Sequence, residues 1–233
     1  FLPFHQRYVP FSLGVGLSPA QTGLHHYLAI HGLFLFIVVS YLVYEGRTRI
    51  GHLQAHRGIY RAMLLAALSL AIASLIAFIL DHSLLQPESA SPIRKLSHLI
   101  EATTYATVPF LFLLMCCSIF LFVHRLREGD SENPQHLFLL GLIGGALSLG
   151  IVVDVVVANN DIERMNTVFK LYLQAWVLYG LAGGIVLWYL FSSWGSLWQA
   201  LSPWKALWLS GMVVLIASAS VYPVLGTRDR LSD

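Results

Sequence analysis

Asn159-Asn160-Asp161-Ile162-Glu163-Arg164-Met165-Asn166-Thr167-Val168-Phe169-Lys170 is the densest polar text in the chain, and it joins two long apolar runs, residues 137–157 and 168–191. Each run exceeds the roughly 18 apolar residues that cross the hydrocarbon core of a bilayer. Without water to satisfy backbone groups there, such a run crosses as a helix. Two helices joined by so short a link form an antiparallel hairpin. Charges at a membrane boundary are costly unless solvated or paired, so the link itself calls for a reason.

The rest of the chain extends this reading. Of its 233 residues 57% are hydrophobic and 11% charged, against roughly 25% charged in a soluble domain. The class is an all-α integral membrane protein. A net charge of +2 without a basic arm excludes a nucleic-acid partner. Apolar runs predict six transmembrane helices in one bundle over residues 18–223, with spans at about 24–44, 62–80, 106–123, 137–157, 168–191 and 206–221. Residues 1–17, broken by Pro3, Pro10, Gly14 and Gly16, read as an interfacial loop on one face, here face A. Ser18-Pro19-Ala20-Gln21 has the pattern of a helix start. Residues 91–103 read as an interfacial helix before the third span, and residues 224–233 as a polar tail. Phe1 is not a start methionine, which is expected of a piece of a longer chain.

Face B, opposite, carries seven Lys or Arg against seven on face A, so charge bias leaves the orientation to the first loop, Arg47 to Arg61, which favours face B as cytoplasmic. Gly141/Gly145 and Gly180/Gly184 have the spacing that lets helices approach closely in lipid. Trp188, Tyr189, Trp194, Trp198, Trp204 and Trp208 read as an aromatic belt at face B.

Within the organising stretch, Asp161 or Asn160 is placed to cap the fifth span, with Glu163 or Arg164 in its first turn. Thr167, Lys170 and Gln174 share one face of that helix, and Asn166 borders it. Met165, Phe169, Tyr172 and Trp176 lean to the other side. With the turn centred near Ile162, Asp154 and Lys170 lie at the same depth and are expected to face one another or a shared group. A helix N-terminus with two cations beside it is an anion site, and at a membrane surface the anion is a lipid phosphate. The competing reading is that Asp161, Glu163, Arg164 and Lys170 neutralise one another and anchor a helix end.

His25, His26 and His31 lie near the start of the first span, and His82 and His98 near the return loop on the same face. Interfacial hydrogen bonding is the expectation for them, rather than cofactor ligation. Cys116 and Cys117 are adjacent, so they point apart on a helix and read as packing residues. No cofactor is expected. A divalent metal is left open, with no ligand set for it in this segment.

Arg164-Met165-Asn166-Thr167-Val168-Phe169-Lys170 with Gln174-Ala175-Trp176 resembles the signature of the YYY membrane proteins, polytopic prokaryotic proteins grouped by predicted fold with GT-C glycosyltransferases. Leu2-Pro3-Phe4, Ile30-His31-Gly32-Leu33-Phe34-Leu35 and Tyr222-Pro223 are similar to flanking stretches of that family, so the likeness spans nearly the whole chain. It corresponds to a C-terminal portion of the family's domain. The link after Asp154 is shorter here than is common there. The resemblance implies a prokaryotic cell-membrane enzyme transferring sugar from a polyprenyl-phosphate donor. Arg164 and Lys170 would hold the lipid phosphate, Asn166 and Gln174 would orient donor oxygens, and Asp154, Asp161 and Glu163 would support them. Its partners would be membrane lipid and the remaining part of the same protein or other membrane subunits. The alternative is a non-catalytic membrane scaffold or subunit of a larger complex, binding lipid or pigment.

Overall fold

The structure, a computed structural model, describes residues 14–18, 20–49, 103–127, 134–159, 161–162, 164–193 and 202–232. Among the described residues there are five long helices: α1 (Leu24–Arg49), α2 (Thr107–Arg127), α3 (Pro134–Val155), α4 (Met165–Ser193) and α5 (Pro203–Ser232). All five are long and apolar enough to cross a membrane. The protein is an all-α integral membrane protein. The second span expected at 62–80 and the interfacial helix expected at 91–103 lie outside the described residues, save that Thr103 opens a 3₁₀ turn, Thr103–Ala106, leading into α2. Residues 224–232, read as a polar tail, continue α5 beyond Pro223.

The core is shared by α1 to α4. On α4 the buried residues Tyr172, Ala175, Tyr179, Ala182, Gly183, Val186 and Leu190 recur at three and four, forming one stripe. Tyr172 therefore turns inward, away from Met165, Phe169 and Trp176, which are exposed. The adjacent helices α2–α3 and α3–α4 pack on each other, and α1 closes the group against α4 and α2. Lipid tails are as apolar as leucine, so association rests on close packing rather than on burial from water.

The expected glycine pairs do not meet each other. Gly145 faces Leu178 and Gly180 faces Phe34, while Gly141 and Gly184 have open space where a Cβ would stand. The tight approach is at Gly150, where a Cβ would lie 2.5 Å from the Tyr27 hydroxyl and 3.0 Å from Leu111. Only a residue without a side chain lets α3 come this near to α1 and α2.

Two corrections concern the helix ends at face A. The first helix begins at Leu24, after Gly23, rather than beside Ser18-Pro19, and its opening bond runs from the Tyr27 amide to the Gly23 carbonyl. Residues 18 and 20–22 are not helical, and their groups are engaged elsewhere. The Ser18 amide donates to the Val155 carbonyl and the Thr22 amide to Asp154. Likewise the fourth span does not run through Val157. Val156–Ala158 (β2) is extended and pairs antiparallel with Val15–Leu17 (β1), Gly16 opposite Val157. A run of β-branched valines favours this extended form. Gly14, at φ +92°, turns the chain so that its carbonyl receives the Asn159 amide at 3.1 Å.

At face B, Arg125 of α2 donates to Glu45 of α1 through Nη2 at 2.6 Å and Nε at 3.1 Å. The Tyr41 hydroxyl lies 3.0 Å from His136 Nδ1. Trp188 and Trp204 are exposed, and Trp208 donates its indole N–H to Ser40 at 2.7 Å. Trp194 and Trp198 lie outside the described residues. Cys116 and Cys117 are unbridged.

Candidate functional site

Four helix ends meet around Asp154 at face A. Asp154 is in the last turn of α3, Thr22 just precedes α1, Thr107 opens α2, and Arg164 immediately precedes α4. Asp154 Oδ1 accepts three bonds: from the Thr22 amide at 3.0 Å, the Thr22 hydroxyl at 2.8 Å and Arg164 Nη2 at 2.8 Å. The Thr22 hydroxyl itself accepts from Arg164 at 2.5 Å and from the Tyr172 hydroxyl at 2.9 Å. One donor and two acceptor positions are thereby filled, the full capacity of a hydroxyl. Thr107 donates to the Thr22 carbonyl at 2.6 Å. The other terminal nitrogen of Arg164 donates to the Ser18 hydroxyl at 3.2 Å and to the Ala20 carbonyl.

The side chains of Arg164 and Asp154 are 12% and 0% exposed. An ion pair this sheltered is little screened by salt, and the nearby N-termini of α1, α2 and α4 add partial positive charge that favours the carboxylate. The expected partnership of Asp154 with Lys170 is not formed. Arg164 occupies the carboxylate, and Lys170 is exposed on α4.

Asp161 caps α4, as its residue type foretells. Its two oxygens accept from the amides of Asn166 at 3.1 Å and Thr167 at 2.8 Å and from the Thr167 hydroxyl at 2.7 Å. The Thr167 hydroxyl is thus drawn into the cap, and it also receives the Ala158 amide at 3.2 Å. These bonds, the Thr167 hydroxyl foremost, hold the Asp161 carboxyl down to about 2 from an ordinary 3.8. A carboxyl whose pKa falls on folding stabilises the fold while it is ionised. Its contribution is full above the ordinary value and is lost as pH falls through the lowered one. Asp161→Ala is therefore expected to lower the melting temperature at neutral pH, with the gap to wild type closing between pH 3.8 and about 2. A gap that stayed constant over that window would show that the cap does not depend on charge.

Asn166, Lys170 and Gln174 stand four residues apart and are all exposed, forming one stripe on the outer side of α4. Glu163 lies outside the described residues. No group of three or more His, Cys, Asp or Glu that could hold a metal occurs among the described residues.

His31 departs from the interfacial reading. It is fully buried between Tyr27, Tyr172 and Tyr179, at ring-centre distances of 4.6, 5.2 and 5.6 Å. Neither ring nitrogen has a hydrogen-bond partner, and the same holds for Asp154 Oδ2. Two turns into α1, the ring faces the core because it lies four residues after buried Tyr27 and four before buried Leu35. Thr22 was the residue that sequence reasoning missed. Nothing local marks it, since its partners Asp154, Arg164 and Tyr172 are 132, 142 and 150 residues away. His82 and His98 lie outside the described residues.

No curated protein and no solved structure matches the chain. The family of uncharacterized membrane proteins DUF2298 matches residues 1–179, which include every residue of the Asp154–Arg164 network and of the α4 stripe. With that much of its length matched, the chain belongs to this family of membrane proteins.

Proposed function

We propose that the chain is the membrane-embedded part of a GT-C-like glycosyltransferase that takes sugar from a polyprenyl-phosphate donor, with the outer stripe of α4 as the lipid-phosphate subsite. The observation that carries this reading is the exposed stripe Asn166, Lys170 and Gln174 on a helix face otherwise made of Met165, Phe169, Leu173, Trp176 and Val177. Gln174 lies nine residues into α4, roughly 14 Å along the helix axis at the usual rise. A lysine can extend its ammonium towards water from such a depth, but a glutamine amide is too short to do so. A polar partner must therefore meet it, and a phosphate-linked sugar at the face offers acceptors and donors to all three. The Lys170 ammonium would stabilise charge developing on the phosphate as the sugar departs. Arg164 and Asp154 hold α4 in place rather than touching the donor. The base would be an acid outside this segment.

The test compares wild type with Lys170→Ala and Gln174→Ala by native mass spectrometry in detergent, titrating polyprenyl phosphate. At least tenfold weaker retention in Lys170→Ala, with an unchanged melting temperature, is the expected result. Equal retention in all three proteins, or none in wild type, would sink the subsite. The scaffold reading is favoured by a different observation, the mutual engagement of Arg164 and Asp154 with Thr22. It expects Lys170→Ala to leave lipid retention untouched while Arg164 variants lose the fold.

A further inference from the structure

A groove of about 950 Å³ runs along the outer side of α1, between Leu28 and Arg47, closed laterally by Leu190 of α4 and by Trp208 and Leu215 of α5. Its size is at the upper end of ordinary ligand pockets, about 300–1,000 Å³. The groove exists because α5 leans on α1 chiefly through Trp208, packed on Phe36, and buries only Met212. Midway along the wall the Ser40 hydroxyl is already satisfied, donating to the Phe36 carbonyl at 2.6 Å and accepting from Trp208 at 2.7 Å. The middle of the groove therefore asks for hydrocarbon.

The face-B mouth is different in kind. Tyr44 and Arg47 border it, and Arg47 is exposed and forms no ion pair among the described residues. Glu45, the acid nearest in sequence, is turned into the bundle and neutralised by Arg125 at 2.6 Å. From Gly46 to Leu80 the sequence has Arg47, Arg49, Arg57 and Arg61 and no acidic residue. A basic side chain such as Arg47 at the end of a membrane helix attracts anionic headgroups.

The geometry points to a binding site for an anionic glycerophospholipid at face B, with its phosphate at Arg47 and one acyl chain lying along α1 past Val43 and Val39. The site is independent of the α4 stripe, which opens at the other face. Depth separates this lipid from a long isoprenoid. Val39 is eight residues from Arg47, roughly 12 Å along the helix, and Gly32 is fifteen residues away, roughly 22 Å. The latter is beyond the midplane of a core about 30 Å thick, so a chain confined to one leaflet ends short of it. A Cβ at Gly32 meets nothing within 4 Å, so a larger residue there fills the groove without disturbing the fold.

The full chain in detergent would be titrated with phosphatidylglycerol and with phosphatidylcholine of the same acyl chains, and bound lipid counted by native mass spectrometry. Wild type is expected to prefer phosphatidylglycerol about fivefold, the size of one basic contact near a membrane surface. Arg47→Gln should abolish the preference, Val39→Phe should weaken retention of both lipids, and Gly32→Phe and Lys170→Ala should change neither. Equal binding of the two lipids by wild type, or a preference that survives Arg47→Gln, would overturn the headgroup assignment. Loss of binding in Gly32→Phe would overturn the glycerophospholipid in favour of a longer isoprenoid chain. Melting temperatures of all four variants near that of wild type keep these outcomes distinct from misfolding.

Discussion

Arg164→Ala should destabilise the protein by about 3–5 kcal/mol, the usual result of removing one partner from a buried ion pair. Asp154 would lose its guanidinium partner at a site with no side-chain exposure, and the Thr22 hydroxyl would lose the donor at 2.5 Å. The Ala20 carbonyl would lose its guanidinium partner too. Unfolding in mixed micelles would read the loss directly. Asp154→Asn with Arg164→Gln, which removes both charges and keeps hydrogen-bonding groups, should recover much of it, because the larger part of the penalty is the stranded charge. A loss below about 1 kcal/mol would mean that Arg164 behaves as an exposed surface partner.

The second large effect is expected at the other face. Glu45 and Arg125 have side chains 2% and 4% exposed, and Arg125→Met removes both bonds that the Glu45 carboxylate receives from the guanidinium. A loss of about 3–5 kcal/mol is again expected. Replacing both by apolar residues of similar volume should be near neutral, since two well-packed side chains also end the cost of desolvating the pair. If Arg125→Met alone proved neutral, the pair would contribute nothing net to the fold.

The all-α membrane class follows from the lengths of the apolar runs, and the Asp161 cap follows from residue type at the start of an apolar run. Residues 164–170 lie inside the stretch that the family of uncharacterized membrane proteins matches. The partner of Asp154 was not legible, for a geometric reason. Counting eight residues back and eight forward from Ile162 assumes equal rise on both sides of the turn. α3 ends at Val155, and the extended residues Val156–Ala158 rise about 3.3 Å each against 1.5 Å in a helix. These residues pair with Val15–Leu17 instead of continuing the helix, so the link is not the symmetric turn that the count assumes, and Arg164, not Lys170, meets the carboxylate. Thr22 was illegible for another reason: threonine before a helix is common, and only folding brings it to Asp154. His31 was judged by its distance from the helix end, whereas the tyrosines around it come from its own helix and from α4.

The Thr22–Arg164 contact spans 142 residues of chain. At about 5–20 residues per second, a ribosome needs roughly 7 to 28 s to make that interval. Throughout that time the entry to the first helix is in the membrane without the groups that later complete it. The Thr22 and Ala20 carbonyls and the Ser18 amide must rely on water or headgroups until α2, α3 and the start of α4 have followed. Residues 18 and 20–22 are therefore made well before the groups that fix them. A truncated nascent chain ending before Arg164 should remain open to protease at residues 18–22, and should close only when the Asp154–Arg164 hairpin has been synthesised.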